Sequence, residues 1–156
     1  MEEKEPPTMI FNYGSNSIMQ LRKKLNNPTL EAIPAKLFEF ERVFAGASSE
    51  WGKSSVVSLF HTGTFRSCTF GAVVDLSDQE LKHLDLLEEC PNKFTRITVS
   101  ARVALDPKVH IMDDQKLESV DVFLYIKNDF EYSQKPAPWY LASIQMMLNE
   151  TYTSPV

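Results

Sequence analysis

Met9-Ile10-Phe11-Asn12-Tyr13-Gly14-Ser15-Asn16 is the stretch on which the fold turns. Met9 to Tyr13 reads as a short apolar strand that breaks at Gly14 into a loop of small polar residues. A helical pattern follows at once. Ile18, Leu21 and Leu25 lie at helical spacing, with Arg22, Lys23 and Lys24 on the wet side. Lysines near the helix end suit the negative pole of the dipole, and Asn26-Asn27-Pro28 stops it. A strand, a small-residue loop and a helix together hold small anions, because backbone N–H groups point outward at the turn and the dipole favours negative charge there. An ordinary turn of Gly, Ser and Asn is the plain alternative, and the loop alone does not decide between them.

Outward from this loop, the remaining elements follow from periodicity and punctuation. Leu37-Phe38-Glu39-Phe40 is expected to be one strand, and Gly46 to Lys53, with Trp51, a loop. Ser55 to Phe60 is a β-branched strand closed by His61-Thr62-Gly63-Thr64, and Thr69 to Leu76 is another. Ser77-Asp78-Gln79-Glu80 is a capping box that opens a helix striped by Leu81, Leu84 and Leu87. Pro91 forbids its continuation beyond about Glu89. Phe94 to Leu105 and Val120 to Lys127 alternate as strands and suit a long hairpin, joined by the polar segment Asp106 to Ser119. Asn128 to Pro138 is an irregular loop, Trp139 to Leu148 the last helix and Thr151 to Val156 a tail. Six strands and three helices that do not alternate strictly predict an α+β fold with a mostly antiparallel sheet, curled toward a barrel. The chain of 156 residues is expected to form one domain over residues 9–150, after a disordered lead at residues 1–8.

Composition narrows the function. A net charge of −5 argues against nucleic acid or an anionic membrane as partner. No stretch approaches the roughly 18 apolar residues of a membrane span, and Met1 to Thr8 lacks the order of a signal peptide. Cys68 and Cys90 are too few and too far apart for a zinc site or a disulfide framework, and His61, His83 and His110 make no ligand spacing with them. A cytoplasmic protein with reduced thiols and no metal is the expectation.

One carboxylate sits on an unexpected face. With Leu81 at zero and about 100° per residue, Leu84 falls at about 300° and Leu87 at about 240°. Glu88 falls at about 340°, inside the stripe, whereas Glu89 falls at about 80°, off it. An inward carboxylate loses hydration, which raises its pKa unless a cation or donors offset the loss. Such a group suits general acid–base work near neutral pH. A rim glutamate reaching water, Lys93 or Arg96 from a frayed last turn is the bland alternative.

Together these features resemble the γ-glutamylcyclotransferase family, including its avirulence-induced-protein-like members. The resemblance rests on Tyr13-Gly14-Ser15-Asn16, on Leu84-Asp85-Leu86-Leu87-Glu88, and on Phe94-Thr95-Arg96 at a strand entry. Gly71-Ala72-Val73-Val74, Val122-Phe123-Leu124-Tyr125 and Pro138-Trp139-Tyr140 add to it, so that it spans roughly Met9 to Asn149. It implies a small mixed, mostly antiparallel β-barrel flanked by helices. It also implies release of 5-oxoproline from a small γ-glutamyl amino acid or amine, as the substrate's own α-amine attacks its γ-carbonyl. No cofactor is implied. Glu88 matches the catalytic glutamate, as general acid and base. Gly14, Ser15 and Asn16 match the loop that holds the γ-glutamyl unit, Tyr13 is expected at the pocket entrance, and Tyr125 and Tyr140 match pocket aromatics. The chain differs from the family pattern at Ser17, where leucine is usual, at Glu89, where glycine is usual, and at Phe94, where tyrosine is common. The expected partner is the small γ-glutamyl substrate, to a monomer or homodimer. Two alternatives stand beside this: a binding module for a γ-glutamyl group or small anion, without catalysis, and a hydrolase using Ser15.

Overall fold

The computed structural model describes residues 8–14, 18–48, 54–127, 144–145, 147–149 and 151–152. The element order is β1 (Met9–Asn12), α1 (Ile18–Lys24), β2 (Ile33–Phe38), β3 (Phe40–Ser48), β4 (Ser54–His61), β5 (Cys68–Asp75), α2 (Asp78–Leu87), β6 (Phe94–Val103), a 3-10 turn (Asp114–Lys116) and β7 (Glu118–Lys127). Five strands close a barrel in the order β1-β5-β2-β6-β7, and β3 and β4 form a separate two-stranded sheet. The barrel is antiparallel except where β7 meets β1, which pair in parallel through Ile10 and Phe123. The expected long hairpin is present, in unbroken register from Phe94 opposite Lys127 to Val103 opposite Glu118.

The strand period places the core. Successive residues of a strand face opposite ways. Phe11, Val73 and Leu124 accordingly join Leu37, Ala101, Val103 and Val122 in one buried cluster. Their immediate neighbours Ile10, Val74 and Tyr125 join Leu21, Leu25, Leu81 and Leu84 in a second, where the helices pack on the barrel strands. Fully burying one such side chain contributes roughly 1.5–3 kcal/mol, so each helix is held by a few leucines. Gly71 permits the closest strand approach: a Cβ there would lie 2.4 Å from the Asn12 carbonyl oxygen and 2.8 Å from Phe11 Cζ. That contact fixes β1 one residue before Tyr13 and the loop.

The helices α1 and α2 end alike. At α1 the Asn26 N–H reaches the Lys23 carbonyl (3.3 Å) and the Asn27 N–H the Arg22 carbonyl (2.9 Å), with Asn26 at φ +51. At α2 the Glu89 N–H reaches the Leu86 carbonyl (3.1 Å) and the Cys90 N–H the Asp85 carbonyl (2.9 Å), with Glu89 at φ +53. Each is a Schellman motif with a left-handed residue just past the helix. The expected capping box at Ser77 and Glu80 is present, and Asn27 Nδ2 donates to Glu80 Oε2 at 2.9 Å.

Four expectations are corrected. Leu37 to Phe40 is not one strand: Glu39 takes φ +71 and divides β2 from β3, which makes seven strands among the described residues. Residues 46–48 belong to β3, paired with β4 across a register shift between Ala45 and Ser48, not to a loop. Leu87, taken as part of the buried stripe, is 45% exposed because α2 turns off at that point. Residues 144–145, 147–149 and 151–152 are helical, which carries the last helix past Leu148. The expected lead, the loop Asn128 to Pro138 and the first part of the last helix lie outside the described residues. Among the described residues no helix is long and apolar enough to cross a membrane.

Candidate active site

The root of the loop is built from β1. Tyr13 is buried, and its hydroxyl donates to the Tyr125 carbonyl of β7. The ring expected at a pocket entrance is thus part of the core, and it ties the end of β1 across the barrel seam. On the main chain, the Gly14 N–H donates to Asn12 Oδ1 at 3.3 Å. Arg42 of β3 donates from Nε to the Tyr13 carbonyl at 3.1 Å and from Nη2 to the Phe70 carbonyl. These bonds orient the Tyr13–Gly14 peptide, the first of the loop. Ser15, Asn16 and Tyr140 lie outside the described residues.

The other half is the end of α2. Glu88 is its C-cap, at φ −82 and ψ 0, with its N–H on the Leu84 carbonyl at 2.8 Å. The Glu88 residue is half-buried and Glu89 is exposed, in the order the helical rotation predicts. Asp85, one turn earlier and on the same side of the helix, anchors this end. It accepts a hydrogen bond from the Tyr125 hydroxyl at 2.5 Å and from Arg96 Nη1 at 2.5 Å. Arg96 and Tyr125 are directly opposed residues of β6 and β7, so one cross-strand pair grips one carboxylate. The Arg96 guanidinium also lies 4.3 Å from the centre of the Phe123 ring. Burial first, and then the Asp85 carboxylate, push the Tyr125 hydroxyl far above its ordinary range, with Arg96 pulling weakly the other way. The hydroxyl therefore remains a donor at neutral pH.

Tyr125 joins the halves. Its carbonyl holds Tyr13 and its hydroxyl holds Asp85, so the loop root, β7 and the end of α2 form one connected unit. The sequence motifs contained Asp85, Arg96 and Tyr125, but not their pairing, because the partners are 11 to 40 positions apart. Arg42 was not singled out; a lone arginine in a strand carries no motif. Among the described residues no three histidine, cysteine, aspartate or glutamate side chains gather to hold a metal ion.

This architecture recurs in solved structures. A γ-glutamyl cyclotransferase superposes with a TM-score of 0.74 at 20% identity, over 92% of this chain and 79% of its own. The chain has the γ-glutamylcyclotransferase fold. An uncharacterized human protein shares that fold with a TM-score of 0.71 at 23% identity, over 95% of this chain and 82% of its own. So does a yeast γ-glutamyl cyclotransferase specific to glutathione, with a TM-score of 0.66 at 14% identity, over 95% and 88%. No family model matches the sequence, and a search of curated proteins finds no match. The γ-glutamylcyclotransferase fold is therefore carried here by a sequence in which most positions differ.

Proposed function

We propose that the protein is a γ-glutamylcyclotransferase that releases 5-oxoproline from small γ-glutamyl amino acids or amines. The observation that carries this reading is the half-buried Glu88 at the end of α2, linked through Asp85 and Tyr125 to the root of the Tyr13–Asn16 loop. The reaction is intramolecular. The substrate's neutral α-amine attacks its own γ-carbonyl carbon, a C–N bond closes the five-membered lactam, and the bond to the leaving amine breaks. Glu88 takes the proton released by the attacking nitrogen and returns it to the leaving nitrogen, so the enzyme ends as it began. Loop N–H groups hold the γ-glutamyl unit and the oxygen on which charge develops. Holding the reactive conformer supplies much of the rate, since the nucleophile is already attached.

A module that only binds has no use for an acid–base group at this position, which favours the enzyme over that alternative. The test is incubation with γ-glutamyl-alanine, glutathione and γ-glutamyl-ε-lysine, with measurement of 5-oxoproline. The expected result is product from at least one substrate, strongly reduced by Glu88→Gln. No product from any of them, or undiminished product from Glu88→Gln, rejects the mechanism.

A further inference from the structure

Arg42 carries a second, unclaimed capacity. A guanidinium offers five N–H donors in a planar fork. One edge of Arg42 is occupied: Nε–H by the Tyr13 carbonyl and one Nη2–H by the Phe70 carbonyl. The opposite edge, made by Nη1 and the second Nη2–H, has no hydrogen-bond or ion-pair partner among the described residues. That edge has the parallel N–H pair that fits a carboxylate.

No carboxylate among the described residues balances the charge either. Burial lowers the Arg42 pKa, and the titratable groups that counter this are Tyr152, Tyr13 and Cys68. These are two phenols and a thiol, not carboxylates. Burial pushes the Tyr152 hydroxyl up to about 12 and raises the Cys68 thiol as well, so neither supplies an anion at neutral pH. Partly desolvating a cation without an anion beside it is unfavourable. Two neutral carbonyls are weak compensation. The cation is tethered to the residue that begins the loop, where the proposed substrate sits.

We infer that the outer edge of Arg42 receives a carboxylate of the substrate. This rests on the proposed function for the identity of the substrate. A γ-glutamyl amino acid has two such groups, the α-carboxylate of the γ-glutamyl head and the carboxylate of the leaving amino acid. Arg42 thereby makes the site selective for an acid over its neutral analogue. It is a specificity-determining residue and takes no part in proton transfer.

Two paired comparisons, each made on wild type, Arg42→Gln and Arg42→Lys, decide the matter. The first is binding of 5-oxoproline against 5-oxoprolinamide, which differ only in the head carboxylate. The second is kcat/KM for γ-glutamyl-alanine against γ-glutamyl-ethylamine, which differ in the leaving carboxylate. Wild type is expected to prefer the acid in one pair by about tenfold or more, the size of a charge-assisted bidentate contact. Arg42→Gln erases that preference, and the pair that responds names the carboxylate. Arg42→Lys keeps the charge without the fork and retains part of it. If Arg42→Gln does not fold, the loss of preference is read in Arg42→Lys. Preferences unchanged in both pairs, or both members of each pair weakened alike, overturn the inference, for Arg42 is then only a tether. A wild type that binds 5-oxoproline selectively but turns over neither substrate rejects the proposed function and leaves the carboxylate site standing.

Discussion

The two helices end in the same backbone motif and differ in everything placed upon it. The end of α1 obeys electrostatics: Arg22, Lys23 and Lys24 fill its last turn, and Asn26, a residue that tolerates the left-handed region, sits at φ +51. The end of α2 has no basic residue in its last turn, a glutamate at the C-cap and another at φ +53. Two carboxylates therefore stand at the negative pole of a dipole, one of them in a conformation that suits glycine. Arg96 brings a cation to this end from another element, β6, through Asp85. A fold that terminates α1 well has the means to terminate α2 well. The left-handed glutamate is local strain carried at the end of α2 and not at the end of α1.

The largest test of this contrast is Glu88→Gln. If the carboxylate at the end of α2 is there for chemistry, 5-oxoproline formation falls by about 10²-fold or more, while the melting temperature stays or rises. A fall in stability with unchanged turnover would make the two helix ends equivalent after all. Next in size is Arg96→Ala, which leaves Asp85 without its cation. The Asp85 and Arg96 side chains are 24% and 27% exposed. Breaking a pair at that depth costs about 2 kcal/mol, below the range for a fully buried pair. Lys24→Ala at α1 is the control and costs under about 0.5 kcal/mol; denaturant unfolding of both reads the difference.

Glu89→Gly sharpens the comparison further. It relieves the left-handed position and stabilises the protein by about 1 kcal/mol, whereas Asn26→Gly changes stability by only a few tenths. The ion pair lost with it, Glu89 to Lys93 at 2.8 Å, lies between side chains more than half exposed and contributes little. The smallest effect is at the start of α2. Desolvation lifts the Glu80 carboxyl, but hydrogen bonds from the Ser77 backbone, Asn27 and the Ser77 hydroxyl outweigh it, and the net shift is downward from the ordinary carboxylate value. A depressed carboxyl stabilises above its unfolded pKa and loses that contribution as pH falls through the folded one. The stability gap between wild type and Glu80→Gln is expected at neutral pH and should close in acid, followed by thermal melts across that range.

How much of this was legible depends on how local the physics is. The capping box, the inward turn of Glu88 and the β6–β7 hairpin follow from spacing within one element or between neighbours. The break at Glu39 was not legible, because a glutamate in the left-handed region gives none of the glycine, asparagine or proline signals that announce a reversal. The length of β3 was hidden for a related reason: Gly46 and its small neighbours suggest a loop, and only pairing with β4 keeps them extended. Leu87 misled because periodicity does not know where the helix stops. In the site, Glu88 and the loop could be named, but the grip of Arg96 and Tyr125 on Asp85 joins three elements, and Arg42 reaches across two. Those contacts exist only once the barrel has closed.

That closure sets an order of events. β1 pairs in parallel with β7 through residues 113 positions apart, and the hydroxyl of Tyr13 reaches Tyr125 at the same seam. During synthesis β1 emerges long before its second neighbour β7, so the seam cannot form until β7 has been made. Contacts of such long range form slowly because their loop must close before they repay it. Until then β1 and β7 each present an open edge, the kind that recruits other strands. The same seam that protects the finished protein from association also ties Tyr13, at the root of the loop, to β7. Under the proposed function a chain that fails to close is inactive as well as sticky, and turnover per molecule counts closed barrels.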